Sequence, residues 1–188
     1  MENENAFLPD NYEVPQGESL YLKLEQGDNK FRIMDRPVFG WLGWQEDEEH
    51  KQKPVRFAMD QKPTDLRSFK EQRVNHFWAM PVWNFKTGSI QILEVTQKSL
   101  QKALEALARN EDWGSPLRYN ITIRRQGEKL DTEYFVNPSP HSDAPAEARE
   151  AWSQTVKNGF DISRLFKGED PFAPNPNIDG EDAPAAAA

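Results

Sequence analysis

The chain has 188 residues, 14 prolines, no cysteine and a formal net charge of -8. Its 37% apolar content suffices for one buried core, while a mean hydropathy of -0.86 and the many prolines predict that part of the chain stays outside it. Lack of cysteine excludes disulfides, thiolate nucleophiles and cysteine-held zinc, and His50, His76 and His141 are too scattered to replace them.

In chain order, residues 1–18 read as an extension with neither a basic n-region nor an apolar h-region, and no run of about 18 apolar residues follows. That predicts a soluble, intracellular protein. The first strand is expected over 19–26, where Leu20, Leu22 and Leu24 alternate with polar residues up to a Gly27-Asp28-Asn29 turn. A second extended run covers 30–44, with Pro37, Gly40 and Gly43 bending it as a small barrel requires. Residues 45–53 read as a charged loop, 54–59 as a short strand and 60–73 as a long basic connection.

The block 75–110 is the most informative. Residues 76–85 are apolar on both faces, as in a central strand, with Pro81 expected to mark a bulge. A tight turn at 86–89 precedes a returning strand over 90–95. Thr96 then offers an N-cap to a helix whose Leu100, Ala103, Leu104 and Leu107 fall on one face, ending near Asn110. After a Trp113-to-Pro116 turn, alternation resumes at Tyr119, Ile121 and Ile123, and a turn at 126–128 leads to a last strand with Thr132, Tyr134 and Val136. Prolines close the domain over 137–146, and helices are expected over 146–157 and 161–167.

Strands, hairpin, helix, hairpin is the order of a mainly β, five-stranded OB-fold barrel with one helix between its third and fourth strands. The division expected is an extension over 1–18, the barrel over 19–140, a linker with short helices over 141–167 and an acidic, disordered tail over 168–188.

The segments IQILEVTQKSLQKALEALA (90–108) and EDWGSPLRYNITIRRQGEKLDTEYFVNPSP (111–140) resemble the OB-fold single-stranded DNA-binding proteins of tailed bacteriophages, and FRIMDRPVFGWLGW and PVRF fit the same family. The resemblance spans about 21–140. It implies a protein that coats and protects single strands in phage DNA replication, recombination and repair, in the cytoplasm of the bacterial host. Relatives with a cysteine-rich zinc site are not a full match, so no metal and no cofactor is carried over.

Charge is segregated along the chain. The tail holds five acids and no base, whereas residues 51–86 hold eight bases against three acids. Ten of the 21 aromatics also fall between Phe31 and Phe85. Single strands are held by cations on phosphates and by rings on which exposed bases stack. The candidate stacking rings are Trp41, Trp44, Phe57, Trp78 and Trp83, which lie beside glycine, proline or arginine or on a strand whose other face is already apolar. Arg32, Arg56, Arg118 and Arg124 alternate with core residues and are expected to point outward to phosphates. Arg36, Arg67, Lys70, Arg73 and Lys86 complete the expected DNA-binding set.

In the tail, Asp170, Phe172, Ile178, Asp179, Glu181 and Asp182 are the expected partner-binding residues: acids that compete with DNA for the basic groove, and apolar handles for replication or recombination proteins. The Glu46-to-His50 run reads as a solvated loop rather than a metal or acid–base site, because adjacent side chains seldom converge on one ion. With no P-loop, dinucleotide fingerprint, HExxH or triad spacing, no enzyme is expected. Two other readings remain: a protein-interaction adaptor of the replication machinery that binds no nucleic acid, and an RNA-binding OB module.

Overall fold

The computed structural model describes residues 19–63 and 74–172. Among these residues seven strands form one sheet: β1 (Gly27–Ile33), β2 (Val38–Glu46), β3 (Gln52–Ala58), β4 (Asn75–Asn84), β5 (Ser89–Val95), β6 (Asn120–Gln126) and β7 (Glu133–Pro138). The pairing order is β3-β2-β4-β1-β6-β7, with β5 on the other edge of β4, and every named pair is antiparallel. Helix α1 (Lys98–Arg109) lies between β5 and β6, and α2 (Ala146–Lys157) and a 3-10 helix (Ile162–Lys167) follow β7. The architecture is mainly β, as expected. The closed five-stranded barrel is not: β3 and β7 end the order without pairing with each other, and the helix follows the fifth strand.

The first strand is displaced. Residues 19–26 form only a parallel bridge, Tyr21 to Ile92, whose backbone bonds from Leu22 and to Leu20 cover the free edge of β5. The expected Gly27-Asp28-Asn29 turn instead opens β1, with Gly27 at φ +85. The run 30–44 divides into β1 and β2 around Met34 to Pro37. Pro81 marks no bulge, since β4 pairs in unbroken register with β5 from Trp78 to Asn84. Its oxygen accepts from the Met34 amide (2.9 Å) where the partner of β4 changes from β2 to β1, so its missing N–H lies at a seam where no ladder bond is lost. Gly40 supplies close approach: a Cβ there would lie 2.2 Å from the Phe57 carbonyl oxygen.

Both faces of the sheet are covered. Phe31, Ile33, Met80, Val82, Leu93, Val95, Ile121 and Ile123 share one face and bury against Leu100 and Leu104 of α1. Each such side chain removed from water stabilises the fold by about 1.5–3 kcal/mol. On the opposite face Leu42, Phe77, Ala79 and Ile92 bury against Leu165, with Phe166 and Phe172 packed beside them. The C-terminal segment up to Phe172 is therefore part of the fold. Phe172 stands 4.9 Å from Phe160, and the Asp161 amide donates to the Pro171 oxygen, so the expected tail starts no earlier than residue 173.

Candidate nucleic-acid interface

Alternation within paired strands places side chains, and here it extends the α1 face of the sheet past the helix. The ladder pairs Phe39 with Trp78, Trp41 with His76 and Trp41 with Phe57, so these five rings project on the same face of β3, β2 and β4. Phe39 meets Trp78 edge-on at 5.3 Å, and Trp41 lies 5.3 Å from His76. Hydrogen bonds fix the row. His76 Nδ1 donates to the Gly40 oxygen (2.9 Å), which leaves Nε2 to accept from the Trp78 indole (3.2 Å). Trp41 donates to the Met59 oxygen (3.1 Å), and Lys62 Nζ sits 4.3 Å from its ring centre. Phe39 remains 42% exposed, while Trp41, Phe57 and Trp78 are half-buried.

Between this row and α1 runs a cleft of about 700 Å³. Phe39, Met59, His76, Trp78 and Met80 form one wall, and α1 supplies the other through Lys98, Gln101, Lys102, Glu105, Ala108 and Arg109. That stripe recurs at helical spacing beside the Leu100 and Leu104 face. Arg36 and Asp35 stand at one end, from the β1–β2 turn. Of the cations, Arg109 pairs with Glu105 (3.0 Å), whereas Arg36, Lys98 and Lys102 have no ion-pair partner among the described residues. The cleft thus joins flat rings to unneutralised cations.

Of the residues singled out in the sequence, Arg36 and Trp78 line this cleft, and Trp41 and Phe57 extend the ring row beyond its lining. Three others are corrected, being committed to the interior. Arg32 is 4% exposed and donates to the carbonyls of Leu117 (2.7 Å) and Ser142 (2.8 Å), with Asn120 Oδ1 at 3.3 Å; burial pushes its pKa down. Arg56 forms a 2.7 Å ion pair with Glu94 between side chains 10% and 17% exposed. Trp83 is 7% exposed. The common reason is that the face they point to is covered, by the C-terminal segment or by neighbouring strands. Trp44 is exposed but shares the opposite face with Leu42, Lys86 pairs with Glu25 beyond the β4–β5 turn, and Arg124 stands 3.9 Å from Asp28. Arg118 is exposed on the 3-10 helix Pro116–Arg118 beside the cleft. Arg67, Lys70, Arg73, Ile178, Asp179, Glu181 and Asp182 lie outside the described residues, and Phe172 is half-buried rather than a free handle.

Phe39, His76, Lys62, Lys98, Lys102 and Arg109 were not singled out. The two helix lysines were legible as the polar flank of the amphipathic helix, but that the flank would face an open stretch of sheet was not. Around Glu46, Asp47 accepts the Glu49 and Lys51 amides (2.9 Å each) and pairs with Lys53 (3.0 Å), bonds that hold its carboxyl below the usual carboxylate range. Its role there is to close the β2–β3 turn. Among the described residues no group of His, Asp and Glu is arranged to hold a metal ion, and no helix is long and apolar enough to cross a membrane. Comparison of the chain with protein-family models, with curated proteins and with solved structures finds no match.

Proposed function

We propose that the protein binds single-stranded DNA in the cleft between the β2–β4 face and α1, without catalysis and largely without regard to sequence. One observation carries the reading: Phe39, Trp78, His76 and Trp41 form a row of contacting rings, with Trp78 hydrogen-bonded to His76, beside Arg36, Lys98 and Lys102, three cations with no ion-pair partner among the described residues. Bases stack on such rings only when their faces are free, which favours single strands over duplex, and each stacked base contributes about 1–3 kcal/mol. The strand–hairpin–helix–hairpin order supports an OB-like arrangement in an opened form, and with it a phage-type protein that coats strands during replication, recombination and repair in the host cytoplasm.

Titration with oligothymidylate should quench tryptophan fluorescence, with an affinity that falls as salt rises. Trp78→Ala should weaken binding about tenfold, the equivalent of one lost stacking contact. Equal affinity for duplex would overturn the proposal. A protein-interaction module is the second reading, favoured by Ile33, Met59, Met80 and Leu117 in the same lining. Absence of any gel retardation at low salt would favour it. Competition between matched DNA and RNA oligomers decides between the two nucleic acids.

A further inference from the structure

A second cleft, of about 710 Å³, opens beside the first. Its lining includes Arg32, Arg118, Arg149, His141, Ser142 and Asp143, and Leu117 belongs to the linings of both clefts. Arg118 comes from the 3-10 helix before β6 and Arg149 from the first half of α2, so the chain brings together two arginines distant in sequence.

The walls of this cleft are held in place. The Ser142 amide donates to the Arg118 oxygen (3.0 Å), the Ser139 amide to the Asn120 oxygen (2.9 Å), and His141 Nε2 to the Trp113 oxygen (2.6 Å). The His141 ring lies parallel to that of Tyr119 at 5.5 Å. Buried Arg32 ties Leu117 to Ser142 through its two carbonyl bonds. Among the described residues no carboxylate stands within ion-pair distance of it, and Asp143 offsets its charge only at longer range, so Arg32 contributes to the positive potential of the cleft. Arg118 and Arg149 are exposed, and neither side chain has a hydrogen-bond or ion-pair partner among the described residues. Against these three positive charges the lining sets one acid, Asp143.

We propose that this cleft is a phosphate-binding site that continues the DNA path: a strand stacked on Phe39 and Trp78 passes over Leu117 and seats its backbone between Arg118 and Arg149. The inference rests on the single-strand reading of the aromatic cleft. It divides the labour between rings that hold bases in one cleft and guanidinium groups that hold phosphates in the next. Arg32 is a positioning residue here, since both terminal nitrogens of its guanidinium donate within the fold and its Nε is buried.

The experiment compares the wild type with R118A/R149A and R118K/R149K on a long oligothymidylate over a series of salt concentrations. Each phosphate contact to a single strand adds about 0.7 to the slope of log affinity against log salt, so the alanine pair should lower the slope by about 1.4. Quenching at saturation should stay at the wild-type level, because the rings are untouched. The lysine pair should keep the wild-type slope. A wild-type slope in the alanine pair would overturn the phosphate site while leaving the aromatic cleft standing. Absence of wild-type binding would overturn both. Because both arginines are exposed, unchanged thermal melting is expected, and a lowered slope with normal melting separates lost charge from lost fold.

Discussion

Arg32 and Arg56 each stand between apolar neighbours on a strand, the pattern from which an outward-pointing, phosphate-seeking side chain is expected. Both do point away from their neighbours' face, yet that side is also buried. Alternation tells which face a residue takes but not whether water lies on it. The charge then has to be satisfied internally, by two carbonyls for Arg32 and by Glu94 for Arg56. Glu94→Ala should cost about 3 kcal/mol in urea unfolding, because it strands the Arg56 guanidinium in a site that is only 10% exposed. Arg56→Ala should leave the salt dependence of DNA affinity unchanged. A shallower slope in that variant would return Arg56 to the interface.

Elements defined by local chemistry were legible. The β4–β5 turn follows from a glycine with positive φ and α1 from an apolar stripe at helical spacing, and the second helix stands at Ala146–Lys157 as expected. Segment 19–26 alternates as cleanly as any strand, but among the described residues it pairs with β5 alone, at a single bridge. The expected Thr96 cap is absent, and α1 starts from Gln97 without a side-chain cap. The 3-10 helix Ile162–Lys167 is capped: Asp161 accepts from the Ser163 hydroxyl (2.6 Å) and amide (2.9 Å). The hydroxyl bond above all holds the Asp161 carboxyl below its usual range. Asp161→Ala should therefore cost about 1 kcal/mol at pH 7. Since the folded pKa is the lower one, that contribution is whole above the unfolded value of about 3.9 and is lost as pH falls through the folded value. Denaturant melts at pH 7 and pH 3 should show the gap between variant and wild type narrowing; an equal gap at both would remove the carboxylate from the account.

At the scale of the molecule, the acidic stretch of the sequence divides at Phe172. Residues 173–188 carry Asp179, Glu181 and Asp182 and no base, whereas Pro171 and Phe172 complete the packing around Phe160. Deleting 173–188 should strengthen oligothymidylate binding severalfold at low salt, with the gain vanishing near 1 M salt, where the Debye length is about 3 Å. Deletion from Gly168 should also lower the melting temperature. Fluorescence titration beside thermal melting separates the two effects, and unchanged affinity in the shorter deletion would end the idea that this tail competes with DNA.

The sequence by itself determined what depends on composition and on near neighbours: no disulfide or thiolate chemistry, the succession of hairpin, helix and hairpin, and an aromatic, basic region before residue 86. Only the tertiary structure decided which rings and cations share a surface. Phe39, Trp78 and Lys102 meet because β2 pairs with β4 and α1 folds back across the sheet, while the segment after β7 covers the other face and takes Arg32 and Arg56 out of reach. Burial is set by segments far apart in the chain, and no local pattern carries that information.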